Sequence, residues 1–148
     1  MVDNSRYSSP IGVCVLVQRD DGALLLLERA GTGYADGSLS TPGGHVEQGE
    51  SFVEAAVREV REEVDVLVEP HMLRFAHVMH QRDADAQARV IVFFEALHWS
   101  GEPTNREPEL CAGLHWAKPD TLPSMVIPCV ADAITMAQAG QPFSLRGW

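Results

Sequence analysis

Arg58, Glu59, Glu62 and Glu63 put three carboxylates and a guanidinium into about one and a half turns of a segment with helical periodicity. Packing gives a core helix no reason to gather three acids there. Carboxylates at i, i+3 and i+4 share a helix face and converge on one volume. There they repel and raise one another's pKa values, and a hard divalent cation relieves the repulsion. Mg²⁺ or Mn²⁺ is therefore the expected cofactor, since both prefer oxygen ligands and share a few carboxylates with substrate phosphates and water. Upstream, Gly43 and Gly44 follow Pro42 and read as a tight turn. Glycines there add backbone donors and a close approach to a ligand, which a side chain would hinder. A glycine turn joined to a carboxylate helix points to metal-assisted chemistry on a phosphate ester or anhydride. The segment is not a P-loop, because Glu50 stands where that motif needs Lys.

The elements that must position these groups follow from the pattern around them. Ser51 reads as the helix N-cap, and Glu54 three residues on completes a capping box. Over Phe52–Val64, residues Val53, Val57, Val60 and Val64 form the stripe expected to pack on a sheet, and the three glutamates lie away from it. Arg58 sits one turn before Glu62 and can pair with it. Ile11–Gln18, Ala23–Glu28, Val66–Val68, Leu73–Met79, Arg89–Leu97 and Leu110–Ala117 read as strands. Arg89–Leu97 is apolar on both alternating sets, so both faces are expected to be covered. Leu39–Thr41 is a short extended piece. Gln81–Ala88 and Ser100–Pro108 read as loops, and Pro128 opens a second helix running to about Ala139. Residues 1–9 read as loose, and the tail is expected to fold back through Phe143 and Trp148.

A chain of 148 residues with 45% hydrophobic content is long enough to bury one core, so a single domain over 1–148 is expected. The formal net charge of −10, with only eleven scattered basic residues, excludes the clustered Lys and Arg of a nucleic-acid polymer binder. An anionic substrate then requires local reversal of the field, which a bound divalent cation supplies. Three cysteines, Cys14, Cys111 and Cys129, without CxxC spacing read as reduced thiols. No apolar run approaches the ~18 residues of a membrane span. The N-terminus lacks the pattern of a signal peptide. Cytoplasmic localisation and no membrane partner are expected.

The stretch from Gly44 to Val66 resembles the box of the Nudix hydrolases, in which Gly and Glu precede Arg-Glu-apolar-x-Glu-Glu-x-Gly-apolar. Gly44 and Glu50 take the first two places, Arg58, Glu59, Val60, Glu62 and Glu63 follow in register, and Val66 closes it. Asp65 replaces the last glycine, at a helix end where positive φ is common and Asp is tolerated. Pro42–Glu47, Arg29, Glu107-Pro108-Glu109, Trp116 and Leu122-Pro123 extend the resemblance to roughly residues 11–137. It implies an α/β fold, the Nudix α/β/α sandwich, with a mixed β-sheet between the box helix and a C-terminal helix. It also implies metal-dependent hydrolysis of a nucleoside diphosphate linked to another group, with water attacking phosphorus. Glu59 and Glu63 match the principal metal ligands. Glu62 matches a third ligand or the carboxylate that activates water, and Arg58 an orienting partner. Glu109 falls where the family often supplies a further ligand or base. Arg29, Gly43, Gly44 and His45 are the candidate substrate contacts.

Substrate choice rests on residues outside the box. The neighbourhood of Gln81-Arg82-Asp83-Ala84 lacks the proline or tyrosine of subfamilies resembling ADP-ribose or dinucleoside polyphosphate hydrolases. The compact length and Glu107-Pro108-Glu109 look MutT-like, which implies a nucleoside triphosphate cleaved to monophosphate and pyrophosphate. Nucleotide sugars and other nucleoside diphosphate derivatives are the alternative substrates. Two other classes compete: a non-catalytic nucleotide sensor, which would not need three metal-binding acids, and an acidic interaction module, which would have no Mg²⁺ or Mn²⁺ affinity. A homodimer through an exposed sheet edge is also compatible with the pattern.

Overall fold

The computed structural model describes residues 5–148. Eight strands and two α-helices run in the order β1 (Ile11–Val17), β2 (Leu24–Arg29), β3 (Leu39–Ser40), β4 (Gly43–His45), α1 (Phe52–Val64), β5 (Leu73–Arg82), β6 (Ala88–Ala96), β7 (Cys111–Ala117), α2 (Pro128–Gln138) and β8 (Phe143–Arg146) among these residues. They form a mixed α/β fold. Five strands make one sheet in the order β4-β1-β6-β5-β8, and three make a second in the order β3-β2-β7. The β1–β6 and β5–β8 pairs are parallel, and the others are antiparallel. The one sheet expected from the sequence is thus divided, because β2 pairs with β3 and β7 rather than with β1 beyond a single bridge at Gln18 and Leu24.

Alternation along the central strands fills two cores. On the α1 side, Val13, Val15 and Val17 of β1 and Val92 and Phe94 of β6 meet Ala55, Ala56, Val60 and Val64 of α1. On the α2 side, Leu16, Ile91 and Phe93 meet Val130, Ala133 and Ile134 of α2. The doubly apolar reading of β6 is explained by this: each set of side chains faces a different helix. Half of the expected valine stripe, Val60 and Val64, is fully buried, while Val53 and Val57 are partly buried and Ala55 and Ala56 take up the rest of the contact.

Four details depart from the sequence pattern. Gly43 and Gly44 do not form a turn; they pair with Cys14 and Val13 as β4, and neither has positive φ. Val66–Val68 keeps its alternation, with Val66 and Val68 buried and Leu67 exposed, but it finds only an isolated bridge from Leu67 to Ser100. β5 continues to Arg82, which shortens the following loop to 83–87. The tail does fold back, as a strand parallel to β5, and Trp148 Nε1 donates to the His80 carbonyl. His77 holds that strand from within: it is buried, and its ring nitrogens meet Gln141 O and Ser144 Oγ, each at 2.7 Å. The expectation of a loose 1–9 falls partly outside the described residues; at its end, Ser9 Oγ donates to Ala88 O at 2.8 Å.

Candidate active site

The helix that carries the acids is fixed at both ends by its own sequence. Ser51 Oγ accepts from Glu54 N, and Glu54 Oε2 accepts from Ser51 N, so the capping box closes. At the far end, Asp65 takes the left-handed conformation with φ 57° and ψ 32°, and its N–H donates to Arg61 O. The box glycine is thus replaced without losing the backbone shape that ends the helix. Asp65 also accepts from Arg106 Nη1 at 3.0 Å.

Between these ends, Arg58 is the hub. Its Nε and Nη2 donate to the two oxygens of Glu50, at 2.6 and 2.9 Å. Its Nη1 donates to Glu59 Oε1 at 2.9 Å and to Glu62 Oε2 at 3.2 Å, and Nη2 also reaches His45 O at 3.2 Å. The fork–fork pair with Glu50 holds the guanidinium rigidly, so that it can position Glu59. The Arg58 guanidinium and the Glu47 N–H hold the Glu50 carboxyl down to about 2. The box spacing marks Glu50, but its task as the anchor of Arg58 is visible only in the fold.

Strand β4 runs along the acidic face of the helix. Gly43 N donates to Glu63 Oε2 at 3.0 Å. A Cβ on Gly44 would collide with the Glu59 carboxylate, and one on Gly43 with the Val13 carbonyl. The glycines therefore serve close approach rather than turn geometry. Burial pushes the Glu63 carboxyl up to about 8, with Glu59 and Glu107 adding to the rise and the Gly43 N–H opposing it. Burial likewise raises Glu59, against the pull of Arg58. Glu62 is exposed at the rim.

These groups stand beside a cavity of about 340 Å³. Glu63, Arg29, Gly43, Gly44 and His45 line it, and so does Glu107. The structure does not bring Glu109 there: its side chain is exposed and absent from the wall, while Glu107 acts electrostatically on both Glu59 and Glu63. The reversal comes from the loop. Asn105 Oδ1 accepts from Glu107 N and Asn105 Nδ2 donates to Cys111 O, which turns Glu107 inward two residues before Glu109. Arg29 is held at the cavity by Tyr34 O and Thr32 Oγ1 and lies over the Tyr34 ring. Trp116 is elsewhere, stacked on Trp99 under Arg19.

Among the described residues, no three His, Cys, Asp or Glu side chains are grouped as a ready-made metal site. Arg58 holds Glu59 and Glu62, and the Gly43 N–H holds Glu63. The donor chemistry nonetheless fits a hard cation: the converging ligands are all carboxylates, and the half-buried Glu63 has two acidic neighbours and a raised pKa.

The fold and this acidic helix beside the cavity narrow the chemistry, and comparison with known proteins gives the family. The NUDIX domain family matches residues 8–135. Phosphatase NudJ of Escherichia coli strain K12 is 29% identical over 134 residues, covering 85% of this chain and 82% of that one. A MutT NUDIX hydrolase from Burkholderia pseudomallei has a crystal structure with a TM-score of 0.78 and 28% identity, covering 87% of this chain and 98% of that one. A MutT protein from Methanosarcina mazei Go1 shares the fold at a TM-score of 0.74 and 18% identity, covering 91% and 98%. The chain belongs to the NUDIX family and is a MutT-like Nudix hydrolase.

Proposed function

We propose that this chain is a Mg²⁺- or Mn²⁺-dependent pyrophosphohydrolase of small nucleotides, acting first on a nucleoside triphosphate to give the monophosphate and pyrophosphate. The observation that carries this reading is the seating of Glu63 on Gly43 at the wall of the cavity, with Glu59 against Gly44. Glu59 and Glu63 would hold the cation, with Glu62 at the rim as a further oxygen donor. When bound, the cation offsets the charge of the acids and of the phosphates and polarises a phosphoryl oxygen.

The remaining roles belong to the chain itself. Arg58 positions Glu59 and Glu62 through hydrogen bonds to Glu59 Oε1 and Glu62 Oε2. Gly43 N–H fixes the orientation of Glu63. Glu107, rather than Glu109, is the loop carboxylate placed to accept the proton of the attacking water. Arg29 and His45 face the substrate from the cavity wall. Bond formation from water oxygen to phosphorus, with departure of the phosphate oxygen across the anhydride, completes the hydrolysis.

The same proposal includes one domain over the whole chain and a cytoplasmic location. No described helix is long and apolar enough to cross a membrane. The homodimer is tested by sedimentation equilibrium. For the reaction, the protein is incubated with nucleoside di- and triphosphates, nucleotide sugars and dinucleotides, with and without Mg²⁺, and released phosphate and pyrophosphate are measured. The expected outcome is metal-dependent pyrophosphate release that Glu63→Gln reduces at least ~100-fold with the thermal transition preserved. Unchanged turnover in that variant overturns the site, and turnover of nucleotide sugars alone overturns the substrate.

A further inference from the structure

The cavity has a second polar group that the hydrolytic chemistry does not use. Gln81 lies next to the last residue of β5 and faces Arg89 of β6 across the sheet, as directly paired residues. Asp83 clamps both: Gln81 Nε2 donates to Asp83 Oδ1 at 3.0 Å, and Arg89 Nη2 donates to Asp83 Oδ2. A carboxylate only accepts, so this contact fixes the Gln81 amide with its nitrogen toward Asp83 and its oxygen away. That oxygen is buried and has no hydrogen-bond partner. Among the described residues, the only other buried side-chain N or O atom in this position is Thr41 Oγ1. The Cys14 thiol feels that hydroxyl, but no bond of hydrogen-bond geometry joins them. Gln81, Arg89 and Thr41 all line the cavity that holds Glu63.

A buried acceptor without a donor is costly, and such a group marks a place where a bound molecule can supply the missing donor. A group next to Gln81 satisfies that oxygen if it brings an N–H, and a group next to Arg89 can use its remaining donors if it brings an acceptor. Ile91 and Val130 supply apolar wall nearby, and Tyr34 stands exposed at the same cavity with Arg89 in its electrostatic reach. A flat heteroaromatic ring suits such a slot, being stacked on its faces and hydrogen-bonded at its edge. Among groups on a base edge, a guanidinium pairs with acceptors such as a carbonyl oxygen, as in its common contact with guanine O6. N–H beside C=O is a lactam, the edge shown by guanine, uracil and thymine.

We propose that Gln81 and Arg89, held by Asp83, read the lactam edge of the substrate's nucleobase and so set base specificity. This deepens the reading of the site as a nucleotide hydrolase and rests on it for the phosphate end. Gln81 Oε1 accepts the ring N–H, Arg89 donates to the neighbouring carbonyl, and Thr41 Oγ1 is a further contact in the wall.

The test compares native protein with Gln81→Met, which keeps length and removes the acceptor. Steady-state kinetics with Mg²⁺ are measured on guanosine, uridine, adenosine and cytidine triphosphates, and calorimetric binding on the four monophosphates. Native protein is expected to favour guanosine and uridine nucleotides. In Gln81→Met that ratio of kcat/KM falls about tenfold, the size of one hydrogen bond, through KM rather than kcat. The monophosphate affinities lose the same ratio. Where Gln81→Met has no cooperative thermal transition, Arg89→Met gives the same reading. A native preference for adenosine or cytidine, no preference, or a preference retained in the variants overturns the proposal alone. No turnover of any triphosphate together with a monophosphate preference lost in Gln81→Met overturns the reaction and supports the edge reading.

Discussion

Arg58 does more for this site than any of the acids, because it lets them stand close together. It gives Glu50 a two-point ion pair, then spends its remaining donors on Glu59, Glu62 and the backbone at His45. The consequence for pH follows from Glu50. Its carboxyl ordinarily titrates near 4.5 and is held at about 2 in the folded protein. A folded-state pKa below the unfolded one contributes stability above the unfolded value, and that stability is lost as pH falls through the folded value. The native protein should therefore lose thermal stability between about pH 4.5 and 2 through this group. Glu50→Gln should lower the thermal midpoint at pH 7 and flatten that part of the acid limb. Thermal scans across pH decide it, and an unaltered acid limb would show that Glu50 does not carry the effect. Turnover should fall with it, since Arg58 then lacks the anchor that aims Glu59.

At the scale of elements, the contact between β4 and α1 makes two neighbouring glycines behave differently. Gly43 is pressed against the backbone of Val13, whereas Gly44 is pressed against the carboxylate end of a flexible side chain, Glu59. Gly43→Ala must move paired backbone and should destabilise the fold by about 1–3 kcal/mol. Gly44→Ala should leave stability within about 1 kcal/mol while displacing Glu59 and lowering turnover roughly 10–100-fold. Urea unfolding beside metal-dependent kinetics separates them, and equal effects of the two variants on both measurements would refute the distinction. The contrast also marks what the sequence could reveal. The helix was legible because its caps, its stripe and its acids are all local, and β1, β2, β6 and β7 because they are apolar runs between turns. β4 was not, since glycine spacing alone does not separate a turn from a strand that needs bare backbone. β8 was legible only as a returning tail, because Phe143 and Leu145 remain exposed and carry no burial pattern. Glu107 was hidden behind Glu109 because the loop's direction depends on the Asn105 contacts with Glu107 and Cys111.

Across the whole molecule, the two helices cover opposite faces of the central strands, and the functional groups gather where cover is incomplete. β1 and β6 are packed on both sides along most of their length, yet Gly12, Val13 and Cys14 open onto the cavity beside β4. The wall is assembled from both sheets, both helices and the loops at residues 32–34 and 107, so a cation bound there ties together parts far apart in the chain. A ligand that binds only the folded state stabilises it in proportion to the logarithm of its concentration over Kd. With metal alone, at about 100-fold above Kd, the gain is about 2.7 kcal/mol, or roughly 5–10 °C in the unfolding midpoint for a chain of this size. Mn²⁺ or Mg²⁺ titrated against the thermal transition should show that rise, a chelator should reverse it, and Glu63→Gln should abolish it. This readout needs no substrate, so it bears on the ligand assignment of Glu59 and Glu63 separately from the chemistry. A midpoint indifferent to both metals up to tens of millimolar would remove the cation from the resting protein and leave the substrate phosphates to bring it.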